Sequence, residues 1–146
     1  MRKLFLKKYN KKKYKKYEKI YVCRGNVKYR KVSNEKEIIS FLKKKGFNPV
    51  KMTDLSVFEQ AKIFNSAKII IAPHGAALTN LVFCEKRTKV IEFFQNDYVN
   101  VCYWAVCNCL DLKYNYFIIN MVGNNLAKTI NQFEFNLIKL GVINGC

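Results

Sequence analysis

Apolar positions along the chain follow two spacings. Short unbroken runs such as Ile20-Tyr21-Val22, Ile69-Ile70-Ile71 and Val90-Ile91 have the look of strands buried on both faces, the kind found in parallel sheets. Between them, apolar residues recur every three or four positions, the period of a helix with one buried side. Taken in order, a first strand covers Lys19 to Arg24 and is broken by Gly25-Asn26, and Val27 to Arg30 forms a loop. Asn34 then N-caps a helix, with Glu37 at capping-box spacing, an apolar face of Ile38, Ile39, Phe41 and Leu42, and Gly46 as its stop. A second strand lies near Pro49 to Met52. Ser56 and Glu59 form another capping box, which opens a helix through Phe64. Lys89 to Phe94 is a fourth strand, Val99 to Leu110 a buried helix, Tyr114 to Met121 a fifth strand and Leu126 to Leu140 an amphipathic closing helix.

The third strand organises the rest. Ile69 to Ile71 stops at Pro73, His74 and Gly75 follow, and Ala76-Ala77-Leu78 opens a helix through Phe83. Gly75 lets the backbone turn and lets a ligand approach it closely. The first amides of the following helix have no partner inside it and favour an anion. Strict alternation of strand and helix predicts an α/β fold, a Rossmann-like three-layer sandwich whose mostly parallel sheet has about five strands. Ligands of such sheets bind at the carboxyl ends of the strands. Arg24, His74 and Glu92 all fall at or near such ends.

Charge changes the picture mainly at the amino end. Of 146 residues, 27 are basic and 10 acidic, for a formal +17. Met1 to Lys19 holds ten of the basic residues and one acid, Glu18, which leaves 17 basic against 9 acidic, or +8, for residues 20–146. The chain therefore divides into a lysine-rich leader (1–19) and a Rossmann-like body (20–146), and the body itself favours an anionic ligand such as a phosphate, a polyanion or an acidic membrane surface. Tyr9, Tyr14 and Tyr17 interleave with the leader lysines, which suits either a solvated tail or an anchor on nucleic acid or anionic lipid. No apolar run is long enough for a signal peptide or a membrane span. Six cysteines without a secretion signal read as reduced, buried thiols. Cys102, Cys107 and Cys109 match no zinc spacing. Walker-type and GxGxxG motifs are absent.

Among candidate ligands, Arg24 and Arg30 flank the first loop, where a guanidinium can grip phosphate oxygens in a bidentate way. Their alternative is surface pairing with Glu35 or Glu37. His74, the single histidine, could bond a diphosphate, a leaving group or a hydroxyl, or else cap the helix that follows it. Glu92 sits among strand apolars, so it needs a partner: ligand hydroxyls such as those of a ribose, or a basic side chain at the core edge. Thr79, Asn80, Glu59 and Gln60 read as packing or capping residues.

Arg24…Arg30…Asn34-Glu35, then Leu55-Ser56-x-x-Glu59-Gln60, then Ala72-Pro73-His74-Gly75-Ala76-Ala77-Leu78-Thr79-Asn80, then Val90-Ile91-Glu92 together resemble glycosyltransferase family 61, over about Ile20 to Phe94. The resemblance implies a GT-B enzyme, of which this chain looks like the C-terminal, donor-binding half. It implies an inverting transferase that needs no metal or other cofactor. Such an enzyme moves a sugar from a nucleotide sugar, commonly a UDP sugar, to a glycan or protein-linked acceptor in polysaccharide biosynthesis. Carried over to this sequence, Arg24 and Arg30 hold the donor phosphates, while His74 with the Gly75 and Ala76 amides cradles the diphosphate or the transferred sugar. A catalytic role for His74 is open, and Glu92 is a candidate nucleoside contact from its position alone. Ala77 stands where the family usually has a second glycine. Little precedes the first strand, so the acceptor half and the general base are expected from a separate domain or chain. Missing signal and free thiols favour a cytoplasmic place, peripheral to the inner membrane through the basic leader. The rival readings are a non-catalytic basic module for nucleic acid or anionic membrane, and an inactive transferase fragment.

Overall fold

The structure is a computed structural model that describes residues 17–24, 32, 34–95, 98–119 and 126–144. Five strands form one all-parallel sheet: β1 (Lys19–Cys23), β2 (Asn48–Lys51), β3 (Ile69–Pro73), β4 (Lys89–Gln95) and β5 (Lys113–Ile119). They lie in the order β2-β1-β3-β4-β5. Among the described residues, four α-helices connect or follow them: α1 (Glu35–Lys44), α2 (Val57–Ser66), α3 (Cys102–Cys109) and α4 (Leu126–Lys139). This is the three-layer, Rossmann-like α/β arrangement expected from the alternation of apolar patterns.

Side chains alternate across the sheet, so each strand feeds both cores. Ile20, Val22, Ile70, Ala72 and Val90 pack with Phe64 of α2 and with Tyr103 and Cys107 of α3 on one face. Tyr21, Ile71, Ile91, Phe93 and Phe117 pack with Ile38 and Leu42 of α1 and Phe133 and Leu137 of α4 on the other. Burial on both faces is why the strands read as apolar runs rather than as alternating ones.

Three elements depart from expectation. Ala76–Phe83 is a 3-10 helix rather than an α-helix. Its small residues and the Asn80 side chain, which donates to the Ala77 carbonyl at 3.1 Å, suit the tighter winding. The capping box at Ser56–Glu59 is formed in full, whereas the Asn34 side chain makes no cap bond to α1. Helix α3 starts at Cys102 and buries only Tyr103 and Cys107, while Val101 and Trp104 are exposed. It covers β5, the outermost strand on its side of the sheet among the described residues. Of the described cysteines, Cys84 and Cys107 are buried, Cys102 and Cys109 are exposed, and all are free thiols. Cys146 and residues 1–16 of the leader lie outside the described residues.

Candidate functional site

The chain moves outward from β1 in both directions. The connection from β1 leads to β2 at one side, and β3 returns to pair with the other side of β1. Loops leaving β1 and β3 therefore part in opposite directions, which opens a crevice at their carboxyl ends, the usual ligand position in such sheets. Arg24 follows β1 and His74-Gly75 follow β3, so both expected residues are carried to this point. Arg24 Nη1 donates to the His74 carbonyl at 3.2 Å.

Gly75 is extended, with φ 170°, so its backbone would accept any residue. Its hydrogen matters for another reason. A Cβ there would lie 1.9 Å from Arg24 Nη1, so the missing side chain makes room for the guanidinium. The amides of Gly75 and Ala76 donate to no carbonyl among the described residues. Beside them opens a crevice of about 340 Å³ lined by Cys23, Arg24, Lys51, Thr53, Gln60, Pro73, Gly75, Ala76, Ala77, Thr79 and Asn80.

Its floor is a polar network rather than a set of loose side chains. Gln60 donates to the carbonyls of Met52 and Leu55, both at 3.0 Å, and accepts from Asn80 Nδ2 at 2.9 Å. Thr79 donates to the Ala76 carbonyl at 2.8 Å. Gln60 and Asn80 thus hold the segment after β2 against the 3-10 helix, while the Thr79 bond closes within that helix, in keeping with the structural role expected for them. The Glu35 carboxylate accepts from the Arg24 backbone amide and from the Tyr21 hydroxyl, tying the start of the first loop to α1. Burial first, then Glu35, pushes the Cys23 thiol up to about 11, so this crevice thiol stays protonated.

The His74 ring lines a separate, narrower opening with Val32, Phe94, Gln95 and Tyr98, whereas Arg24 lines the crevice. Phe94 stacks on it at 5.2 Å, and Tyr98 and Tyr103 flank it at 5.3 and 5.5 Å. His74 Nδ1 lies 2.6 Å from Glu92 Oε1. The second Glu92 oxygen accepts from the Tyr114 hydroxyl at 2.6 Å. Glu92 is fully buried, and this burial raises its carboxyl above the ordinary carboxylate range, against the opposing pull of Tyr114 and His74. Burial first, then Glu92, also pushes the Tyr114 phenol far up, so it remains a donor.

Glu92 therefore faces inward to His74 and Tyr114 rather than outward to a ribose hydroxyl. Tyr114 was not among the residues picked from sequence. Its signal was parity: on β5 it lies on the same sheet face as Glu92 of β4, but only once the register Glu92↔Tyr116 is known. Arg30 lies outside the described residues. Among the described residues, no group of three or more His, Cys, Asp or Glu side chains could hold a metal ion, and no helix is long and apolar enough to cross a membrane.

A search among curated proteins finds no match to this chain. The model of the family described as Glycosyltransferase 61 matches residues 1–91, which takes in β1, α1, β2, α2, β3 and the Pro73-His74-Gly75 turn. The crevice at the β1/β3 divide is thus carried by the matched part, and the chain belongs to glycosyltransferase family 61.

Proposed function

We propose that this chain is the donor-binding part of a transferase that uses a nucleotide sugar, with a UDP sugar as the first choice. The observation that carries the reading is the fit between Arg24 and Gly75: a guanidinium held at 3.2 Å on the His74 carbonyl, over a position where a Cβ would collide with it. A charge-bearing fork beside unbonded amides at a strand–helix junction suits a diphosphate. Arg30, from the loop after β1, would complete the clamp. On this reading no metal ion is needed to neutralise the diphosphate, since Arg24, Arg30 and the amides supply the positive field.

In the inverting reaction, an acceptor hydroxyl oxygen forms a bond to the anomeric carbon on the face opposite the diphosphate. The bond from that carbon to the diphosphate oxygen breaks, and its electron pair leaves with the nucleotide. The hydroxyl proton passes to a base on a separate acceptor-binding domain or chain. Negative charge grows on the diphosphate as the bond breaks, so Arg24 and the Gly75 and Ala76 amides hold the transition state more tightly than the ground state. Removing one such donor typically costs about 10²–10³ in rate. The acceptor is a glycan or protein-linked sugar, and the setting is the cytoplasmic side of an inner membrane, which the basic leader can approach.

Calorimetric titration with UDP tests the reading. Weak binding that is lost in Arg24→Ala supports it. Absence of binding to any nucleotide, with the protein folded, ends it.

A further inference from the structure

Arg24 and His74 meet at one turn, yet they serve different openings. The guanidinium and the Gly75 amide border the wide crevice; the imidazole borders the narrow one. Chemistry at the second opening depends on which ring nitrogen carries the proton. Nδ1 is 2.6 Å from Glu92 Oε1. The other carboxylate oxygen is already taken by the Tyr114 hydroxyl, a donor that holds the carboxyl group in one orientation. An ionised carboxylate can only accept, so the ring must donate to it through Nδ1–H. Nε2 makes no hydrogen bond among the described residues and is not one of the enclosed polar atoms, while the ring keeps a 9% opening to solvent.

We propose that Glu92, oriented by Tyr114, is a positioning residue that fixes His74 as the Nδ1–H tautomer and presents Nε2 as an acceptor for a hydroxyl group. The consequence for ligand class rests on the nucleotide-sugar reading above. An unprotonated Nε2 suits a sugar hydroxyl and is repelled by an ionised phosphate oxygen. The turn then divides the donor: the diphosphate lies in the Arg24 crevice, and the transferred sugar at the His74 opening. Apolar rings on three sides (Phe94, Tyr98 and Tyr103) hold the imidazole flat and exclude water from the Nδ1 contact. Other titratable groups near it are Cys107 of α3, pushed up to about 12 by burial and then by Glu92, and Arg24, whose Nη1 donates to the His74 carbonyl.

Because the chain holds a single histidine, its imidazole signals in a long-range proton–nitrogen NMR spectrum need no assignment by mutation. In the ligand-free protein, at a pH where the ring carries one proton, the expected pattern is Nδ1 protonated and Nε2 bare. In Glu92→Gln the amide oxygen still accepts from Tyr114, which turns the NH₂ toward His74. The ring must then accept at Nδ1, and the pattern inverts to Nε2–H, as happens when an orienting carboxylate becomes an amide in a histidine–aspartate pair. Tyr114→Phe keeps the wild-type tautomer and moves the Nδ1–H proton downfield, because a carboxylate without the phenol's bond is a stronger acceptor. It also gives a reading if Glu92→Gln does not fold. An Nε2–H tautomer in the wild-type protein, or no inversion in folded Glu92→Gln, overturns the proposal. Adding inorganic pyrophosphate separates the two readings. Shifts at the Gly75 and Ala76 amides with an unchanged imidazole pattern agree with both. Failure of pyrophosphate to bind counts against the diphosphate site alone, and pyrophosphate that protonates Nε2 counts against the division of ligand between the two sides.

Discussion

At the scale of single residues, Gly75 and Arg24 form one unit. Because Gly75 has an extended backbone, Gly75→Ala carries no conformational penalty of its own, and the atom that must move is the far end of a flexible arginine. We therefore expect Gly75→Ala to leave thermal stability nearly unchanged and to weaken UDP binding about as much as Arg24→Ala. A charge-assisted bond to phosphate is worth about 1.5–3 kcal/mol, roughly 10- to 150-fold in affinity. The double variant should be no worse than either single one, because both remove the same contact. Additive losses in the calorimetric cycle would show that Gly75 acts without Arg24. Glu92 makes a second, pH-dependent test. Its folded pKa is raised, so across the window above its unfolded value of about 4.3 the folded state binds more protons than the unfolded one. Wild-type stability relative to Glu92→Gln should rise as pH falls through that window, by at most about 1.4 kcal/mol per pH unit for one proton. Urea melts across the acid range, with a falling difference, would contradict the raised carboxyl.

At the scale of elements, legibility depended on how local the cause was. The strands showed in the sequence because burial on both faces leaves an unmistakable run of apolar residues, as in Ile69–Ile71. The Ser56–Glu59 cap showed because both of its bonds close within four residues, with the Ser56 amide donating to Glu59 Oε2 at 2.8 Å and the Glu59 amide to Ser56 Oγ at 3.4 Å. Asn34–Glu37 has similar spacing, yet Glu35 is drawn to Arg24 and Tyr21 and the Asn34 side chain makes no cap bond. Ser56→Ala should accordingly cost about 1 kcal/mol in a chemical melt, and Asn34→Ala distinctly less. An equal cost would mean that the two caps are equivalent. Position in the sheet was harder to read. The apolar stretch from Val99 to Leu110 resembles a buried helix, but whether a helix is covered depends on strand order, and α3 lies over the edge strand β5. The His74–Glu92 contact was hidden for the same reason. It joins residues 18 positions apart, and only the pairing Ala72↔Glu92 reveals that they share a face.

At the scale of the whole molecule, two basic features compete to explain the charge of +17. One is the Arg24 crevice. The other is the leader, whose first 16 residues hold nine lysines and arginines and no acid. Tyr17 and Glu18 already belong to the folded body, since the Tyr17 amide donates to Ser66 Oγ at 3.4 Å and the Glu18 carbonyl accepts from Lys68 and Ile69. A deletion of Met1 to Lys16 removes no residue of the sheet and separates the two features. A diphosphate held by a few fixed donors depends on salt only weakly, whereas a lysine tail on a polyanion releases one counterion per neutralised phosphate and loses affinity steeply as salt rises. If the crevice is the working site, the shortened chain keeps its UDP affinity and loses any binding to RNA or anionic vesicles. If the leader is the working part, deletion removes all binding, and the full chain's affinity for polyanions falls by orders of magnitude between low and physiological salt. Measuring both ligands on both chains at two salt concentrations decides between a transferase with a basic tail and a basic tail carried on a silent sheet.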